Sequence, residues 1–292
     1  MGENANLGAA LGAPSRSTVS DLAQFRVVTA SQLTNYFRTY RFLGLLAFVA
    51  FVSILTLAFE IQAGVAATRV AQLNRSSEYL SNFLDYAGLW IIIAAAFFGG
   101  DALSVDFSTG AGYYMLVLPI KRGVLLAGRY AAATLVTLAV VAVYYVFGVA
   151  GAVYFFGGGS IAWGNYGLSI GIAILFTLAA LGVAFCISAL FRSPAAGVLV
   201  TILALYVGLT TLQGVLELAN IEPWMSLTYA GGAMAAVLDT DFLHYQSIPL
   251  GEDQFYTLWS ASVIEGVIIM AAYAALFLPL SAYLYHRKES TG

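Results

Sequence analysis

The residue whose type and position most directly suggest chemistry is Glu265, a single acid in the apolar stretch 260–285. An ionisable side chain inside a membrane-spanning segment is costly, and it commonly marks a substrate or ion pathway. Glu265 is therefore a candidate for a polar gate or a pathway site. The alternative is a structural glutamate that is protonated or hydrogen-bonded between helices, or that lies near the outer surface if the span starts later.

The residue types used in metal and nucleophilic catalysis are sparse. The chain has two histidines, His244 and His286, and one cysteine, Cys186, and none of them lies in a motif with metal-ligand spacing. No G-x-x-x-x-G-K-[ST] phosphate loop is present, so we expect no ATP hydrolysis by this chain. The sequence therefore predicts a protein that is not an enzyme and that binds no cofactor or metal itself.

A polar loop between two apolar segments carries a second group of candidates. The stretch 97–130 reads FFGGDALSVDFSTGAGYYMLVLPIKRGVLLAGRY. A glycine allows the chain to turn, and a short leucine-containing segment then ends at a proline, which disfavours helical angles in the residue before it. An arginine that follows can pair with lipid phosphates or carboxylates. This order predicts a short docking helix for a soluble partner, and the alternative is an ordinary basic connector. The candidate residues are Asp106, Gly110, Leu116, Leu118, Pro119 and Arg122.

The elements that must position these residues are membrane helices, because 61% of the 292 residues are hydrophobic and only 9% are charged. Soluble domains carry roughly 25% charged residues. A membrane-spanning helix needs about 20 mainly apolar residues. The sequence therefore predicts an all-α integral membrane protein with six spans. Span 1 lies at 42–59 and span 2 at about 79–100, and two further spans lie between 130 and 191. The last two lie at about 195–216 and about 260–285.

Basic residues indicate the orientation, because cytoplasmic loops near the membrane retain Lys and Arg. Ten of the twelve Lys and Arg residues fall in the N-terminal segment, in the loops after spans 2 and 4, and in the C-terminal tail. The loop after span 5 contains six acids and no Lys or Arg. We therefore predict a multi-pass protein of the plasma membrane whose two termini and loop 101–123 face the cytoplasm, with the loop after span 5 outside.

The segment 20–41 before the first span has the pattern of an amphipathic helix. Ser20 suits the N-cap, and Asp21 suits the positive end of the helix dipole. We expect an elbow helix in the cytoplasmic interface, within a single domain at 20–292 that follows a disordered cytoplasmic tail at 1–19. A simple membrane anchor is the alternative. At 100° per residue, one arc contains Leu22, Phe25, Leu33, Tyr36, Phe37 and Tyr40.

The polar loop, the N-terminal helix and the six spans together resemble the permease subunits of type-2 ABC transporters, over nearly the whole chain. The motif is D-F-S-T-G at 106–110, leucines at 116 and 118, and P-I-K-R at 119–122. Asp106 stands where the family more often has Glu, and Ala111 stands where it often has Thr. The resemblance implies a homodimer or heterodimer of six-span halves in membrane lipid. Each half would contact a separate cytoplasmic ATPase subunit, which binds ATP and Mg²⁺, through the loop 101–123.

The loop after span 5 contains a mostly apolar segment at 225–238, preceded by Pro223, which suits the first turn of a helix. We expect a short helix that is half-buried at the outer surface. The resemblance implies re-entrant helices that close the exit of a pathway, and the alternative is a passive lid.

Three functions are compatible with these features. The leading prediction is the membrane subunit of an ATP-driven transporter, an exporter. A secondary transporter is an alternative, although it would usually need broken helices and paired buried ions near the middle of the membrane. A non-transporting membrane scaffold or assembly factor is the third. No feature of the sequence indicates a nucleic-acid partner.

Overall fold

The computed structural model describes residues 20–62, 76–105, 121–239, 242–249 and 255–290. Within them lie six helical segments that are long and apolar enough to cross a membrane, which confirms the prediction of a six-span membrane protein. We number them span 1 to span 6 in chain order. They are Tyr40–Gln62, Ser76–Gly99, Arg122–Phe156, Trp163–Leu190, Pro194–Leu218 and Val263–Arg287.

Shorter elements complete the fold, and two spans are composite. The N-terminal helix is Asp21–Arg38. Span 2 consists of the helices Ser76–Leu84 and Ala87–Gly99. Span 5 consists of Pro194–Ile202, a π-helical segment Leu203–Gly208, and Leu209–Leu218. The helix of span 6 continues to Ser290. The remaining elements are a 3₁₀ turn Gly158–Ser160, two short helices Leu227–Gly231 and Ala233–Ala236, and two strands, β1 Tyr245–Pro249 and β2 Phe255–Trp259.

Spans 2 and 4 form the centre of the bundle. Within an apolar 18-residue stretch of each span, 67% of the residues are buried in span 4 and 56% in span 2, whereas only 22%, 17% and 11% are buried in spans 1, 5 and 6. Several buried polar side chains between spans 3 and 4 are hydrogen-bonded, as most buried polar groups in proteins are. The Tyr145 hydroxyl lies 3.1 Å from Ser169 Oγ, which donates to the Met234 carbonyl at 2.7 Å. Spans 1, 5 and 6 therefore present wide apolar faces outside the bundle.

We call one end of the bundle the basic end, where spans 1, 3 and 5 begin. There the N-terminal helix packs along the start of span 3 at close range, because Gly128 has no side chain. A Cβ atom on Gly128 would lie 2.7 Å from Val28 Cγ1. Val28 is buried, and Leu33 and Tyr36 also pack against the bundle. The predicted helix is therefore present, and its bundle-facing side differs in part from the predicted arc. The exposed members of that arc are Leu22, Phe37 and Tyr40.

We call the opposite end the hairpin end, because β1 and β2 pair there as an antiparallel hairpin with Tyr245 opposite Trp259. This hairpin is an addition to the predicted all-α fold. The helix predicted at 225–238 is present as the two short helices, although they begin at Leu227, after Pro223 rather than with it. Span 6 begins at Val263, three residues later than the predicted 260, and this shift changes the environment of Glu265.

Candidate functional site

The first candidate site lies at the basic end, around the loop that connects spans 2 and 3. Arg122 is the first residue of span 3 and its side chain is exposed. The other loop candidates lie outside the described residues, and their predicted role stays a prediction. They are Asp106, Gly110, Leu116, Leu118 and Pro119. The structure does describe both ends of the loop, at 101–105 and 121–123.

The start of this loop is fixed by Asp101, whose side chain is 9% exposed and forms an ion pair with Arg41 at the start of span 1. Burial raises the pKa of Asp101, and the adjacent Arg41 guanidinium opposes that shift. The Tyr36 hydroxyl donates to the Phe98 carbonyl at 2.9 Å, one turn earlier. Burial also raises the pKa of Tyr36, so its hydroxyl keeps the proton that it donates. The end of span 2 is thereby joined to the N-terminal helix and span 1.

The end of the loop is fixed by Lys121. Its Nζ lies 2.7 Å from Asp21 Oδ2, and its backbone N–H donates to Gln24 Oε1 at 3.4 Å. Arg129, in the second turn of span 3, is buried and donates from Nη1 to the Ala102 carbonyl at 3.0 Å. The residues before the segment 106–120 are therefore held by spans 1 and 3, and the residue after it is held by the N-terminal helix.

Spans 4 and 5 meet the same loop start. Ser188 Oγ near the end of span 4 accepts hydrogen bonds from the backbone N–H groups of Leu103 and Ser104, at 3.0 and 3.1 Å. Span 5 approaches through two glycines: a Cβ atom on Gly100 would lie 2.9 Å from Val198 Cα, and one on Gly197 would clash with the Gly100 carbonyl. The residues 100–105 are thus in contact with spans 1, 3, 4 and 5.

The second candidate site lies at the hairpin end, around Glu265. Glu265 is in the first turn of span 6 and its side chain is 42% exposed, so the prediction that it lies well inside a span is wrong. Its Oε2 accepts from the Ser262 backbone N–H at 3.0 Å, and its own N–H donates to Ser262 Oγ at 3.4 Å. This reciprocal pair is a capping box, which satisfies two backbone donors at a helix start. The sequence signal is the S-x-x-E pattern at 262–265.

Glu265 also has two neighbours that the sequence separates widely. His244 Nδ1 lies 3.8 Å from Glu265 Oε2, and His244 Nε2 lies 3.7 Å from Glu222 Oε1. One ligating atom from each of the three side chains lies within 4.8 Å of the other two. They belong to the connection after span 5, the residue before β1, and the start of span 6. These three residues are 22 and 21 residues apart in the chain, which is not a metal-ligand motif, and only the fold brings them together.

A cavity of about 420 Å³ opens beside this cluster, between spans 2, 4 and 5, the short helices and the hairpin. Its lining is rich in aromatic and polar side chains and includes Tyr206 of the π-helical segment and Gln213 one to two turns later. Gln213 accepts from Thr228 Oγ1 at 3.0 Å and donates to Glu217 at 2.9 Å. The short helices are therefore hydrogen-bonded to span 5 at the cavity wall.

Residues 68–291 of the chain match the model of a protein family that is described as Protein of unknown function (DUF2705). The chain belongs to the DUF2705 family. The match to DUF2705 includes spans 2 to 6, the loop at the basic end and the Glu265 cluster, whereas the N-terminal helix and span 1 precede it. A comparison with curated proteins gives no match.

Proposed function

We propose that this DUF2705 protein is the membrane-spanning permease subunit of an ATP-driven transporter of the type-2 ABC class, an exporter of the plasma membrane. A separate cytoplasmic ATPase subunit would bind ATP and Mg²⁺ and hydrolyse the nucleotide. The loop 101–123 would receive the motion of that subunit. This chain would carry no catalytic residue, and its part would be mechanical.

The observation that supports this proposal is the double attachment of the loop to the N-terminal region. Asp101 at the loop's start pairs with Arg41, and Lys121 at its end pairs with Asp21. A connector with no mechanical role needs only to join spans 2 and 3. A docking element must instead be held against the bundle on both sides, so that a displacement of its middle moves the helices and not only the loop.

The contacts at the loop's ends define where such a displacement would go. Arg129 joins the loop start to span 3, and Ser188 joins it to span 4. The Gly100–Gly197 approach joins it to span 5 without an intervening side chain. Packed interiors are stiff and transmit strain. A push on the segment 106–120 would therefore act on several spans together.

The unburied faces of spans 1, 5 and 6 support the dimer that the resemblance implies. A dimer would place a part of these faces against a second six-span subunit, and membrane lipid would cover the rest. Helices in lipid associate through close packing and interhelical hydrogen bonds, because lipid tails are as apolar as the side chains. Among these spans, span 5 is the one that also lines the hairpin-end cavity, through Tyr206 and Gln213.

The decisive experiment replaces Leu116 and Leu118 with Asp and measures copurification of an ABC ATPase subunit from native membranes by affinity tag and mass spectrometry. Buried apolar hot spots of a small interface cost a few kcal/mol when lost. We expect loss of the ATPase subunit, or retention with ATP hydrolysis uncoupled from transport, while membrane insertion is unchanged.

A matched control places Asp at Ile221 and Leu243, which are 52% and 58% exposed at the hairpin end. The control should keep the ATPase subunit. If wild-type protein copurifies with no ATPase subunit, the proposal is wrong and a secondary transporter or a scaffold is favoured; transport by the purified chain alone would then distinguish these two.

A further inference from the structure

The hairpin end brings together three metal-ligating side chains that no sequence motif connects. We call Glu222, His244 and Glu265 the hairpin-end triad. The two contacts of His244 with the glutamates, at 3.7 and 3.8 Å, are longer than hydrogen bonds. The triad is therefore not closed by hydrogen bonds between its own members, although one ligating atom of each side chain lies within 4.8 Å of the other two.

The imidazole of His244 has one nitrogen engaged and one available. Nδ1 lies 3.1 Å from the Ser260 carbonyl, which can only accept a hydrogen bond. In a neutral ring the proton is therefore on Nδ1, and the lone pair is on Nε2, the nitrogen that faces Glu222. A hydrogen bond from one ring nitrogen to a backbone carbonyl is the usual arrangement of a metal-bound histidine.

Both carboxylates are also held by donors outside the triad. The Tyr229 hydroxyl donates to Glu222 Oε1 at 2.7 Å, and the Ser262 N–H donates to Glu265 Oε2 at 3.0 Å. Hydrogen bonds of this kind orient ligating carboxylates in metal sites. Each carboxylate has a second oxygen, so these hydrogen bonds leave ligating capacity. A separate hydrogen-bond partner outside the triad thus orients each of its three side chains.

The charge at this end of the bundle favours a cation. The sequence contains no Lys or Arg between Arg192 and Arg287, so the segments that supply the triad bring no fixed positive charge.

We propose that the hairpin-end triad binds one divalent transition-metal cation, with Zn²⁺ as the best-matched ion. One imidazole and two carboxylates form a ligand set that suits Zn²⁺. Ligand distances of about 2.0–2.2 Å place neighbouring ligand atoms roughly 3.3 Å apart, so the glutamate side chains have to close in modestly around the ion. Water completes the coordination, because the side chains are between 31% and 42% exposed.

A bound ion would join three parts of the hairpin end that the chain connects through the two short helices and the hairpin: the segment after span 5, the residue before β1, and the first turn of span 6. These parts border the 420 Å³ cavity, to whose lining Tyr229, Trp259 and Ser260 belong. The cation would therefore reinforce the outer wall of that cavity. This inference does not depend on the ATPase partner and applies equally to a secondary transporter or a scaffold.

The test is a Zn²⁺ titration of the purified full-length protein in detergent by isothermal calorimetry. We expect one Zn²⁺ per chain in the wild type, and an affinity at least 10-fold lower in His244→Ala and in Glu265→Gln. The glutamine variant keeps an oxygen for the capping box, so the start of span 6 is preserved. His286→Ala is the matched control, because it removes the chain's other histidine, and it should bind as the wild type does.

A second measurement uses Trp259, whose ring lies 5.6 Å from the His244 ring, centre to centre. Co²⁺ bound at the triad should quench part of the tryptophan emission, and Trp259→Phe should remove that quenching. Equal Zn²⁺ affinity in the wild type and in His244→Ala, or no saturable binding in the wild type, would overturn the proposal. If His244→Ala does not fold, Glu265→Gln and the quenching of Trp259 decide the question.

Discussion

The Lys121 ammonium lies 2.7 Å from the Asp21 carboxylate, although 100 residues separate the two in the chain. Both side chains are more than half exposed, at 69% and 57%. Exposed pairs of this kind contribute about 0–1 kcal/mol. The companion pair of Arg41 with Asp101 differs, because the Asp101 side chain is only 9% exposed. The two ion pairs that hold the loop therefore differ in what they contribute to stability.

We expect Arg41→Ala to destabilise the protein clearly more than Lys121→Ala. Removal of Arg41 leaves the buried Asp101 carboxylate without its cation, which can cost about 3–5 kcal/mol for a fully buried pair and less here, since Arg41 is 60% exposed. Thermal unfolding in detergent, followed by a dye that reacts with the buried Cys186, would measure both variants. Arg41→Ala with Asp101→Asn should recover part of the loss, and strict additivity of the two changes would argue against the pair.

The contact of span 2 with span 5 predicts a large effect from one methyl group. Gly197→Ala should destabilise the protein by about 1–3 kcal/mol, because the new Cβ would meet the backbone carbonyl of Gly100 and the helices would have to separate. Gly171→Ala in span 4 is the control, since no atom lies within 4 Å of its Cβ position. That control should be neutral or slightly stabilising, as alanine is favoured over glycine in helices. Equal unfolding temperatures for the two variants would contradict the close approach.

The predicted orientation can be checked with single cysteines in a Cys186→Ala background. Gly123 at the basic end has open space around it, and Leu243 at the hairpin end is 58% exposed. We expect Gly123→Cys to react with impermeant thiol reagents only from the cytoplasmic side, and Leu243→Cys only from outside, as the distribution of Lys and Arg indicates. The reverse pattern would invert the topology, and access to both positions from one side would contradict an odd number of spans between them.

The capping box at the start of span 6 predicts different results for two substitutions of Glu265. Glu265→Gln keeps an oxygen that accepts from Ser262 N–H, so the unfolding temperature should change little. Glu265→Ala removes that acceptor and should cost about 1 kcal/mol. If Glu265→Gln destabilises the protein as much as Glu265→Ala does, the carboxylate charge and not the cap governs the stability of this helix start.

The spans could be predicted from the sequence because length and apolar composition define a membrane helix locally. The start of span 6 was predicted three residues early, and that small error placed Glu265 inside the membrane. The S-x-x-E pattern at 262–265 was the local signal that would have corrected it. The hairpin also had a signal: its strands contain Tyr, Ile, Phe and Trp, and the connection at 250–254 contains Gly and Asp.

The hairpin-end triad could not be predicted in the same way. Glu222, His244 and Glu265 lie on three segments with short helices and strands between them, and no local rule specifies how those segments pack. The face of the N-terminal helix is an intermediate case. Its helical period was readable, but the choice of Val28 as the buried contact depends on the glycine at position 128 of another helix. A contact such as that of Val28 with Gly128 depends on how two distant helices pack, so it cannot be predicted from either segment alone.

The π-helical segment Leu203–Gly208 has a consequence for the way span 5 follows the bundle. The buried residues Gly197, Thr201 and Leu205 of span 5 lie four residues apart. In a plain α-helix, residues at this spacing shift by about 40° around the axis at each step. The π-helical segment accommodates one extra residue in its wider turn, and this turns the rest of span 5 back by about 100°. Gly197 at one end and Gln213 at the other therefore lie about 60° apart around the helix axis, whereas a plain α-helix of the same length would separate them by about 160°. An α-helical 203–208 of unchanged length would rotate Gln213 away from Thr228 while Gly197 stayed against span 2, whereas deletion of one residue within 203–208 would remove the extra residue and keep both contacts in register.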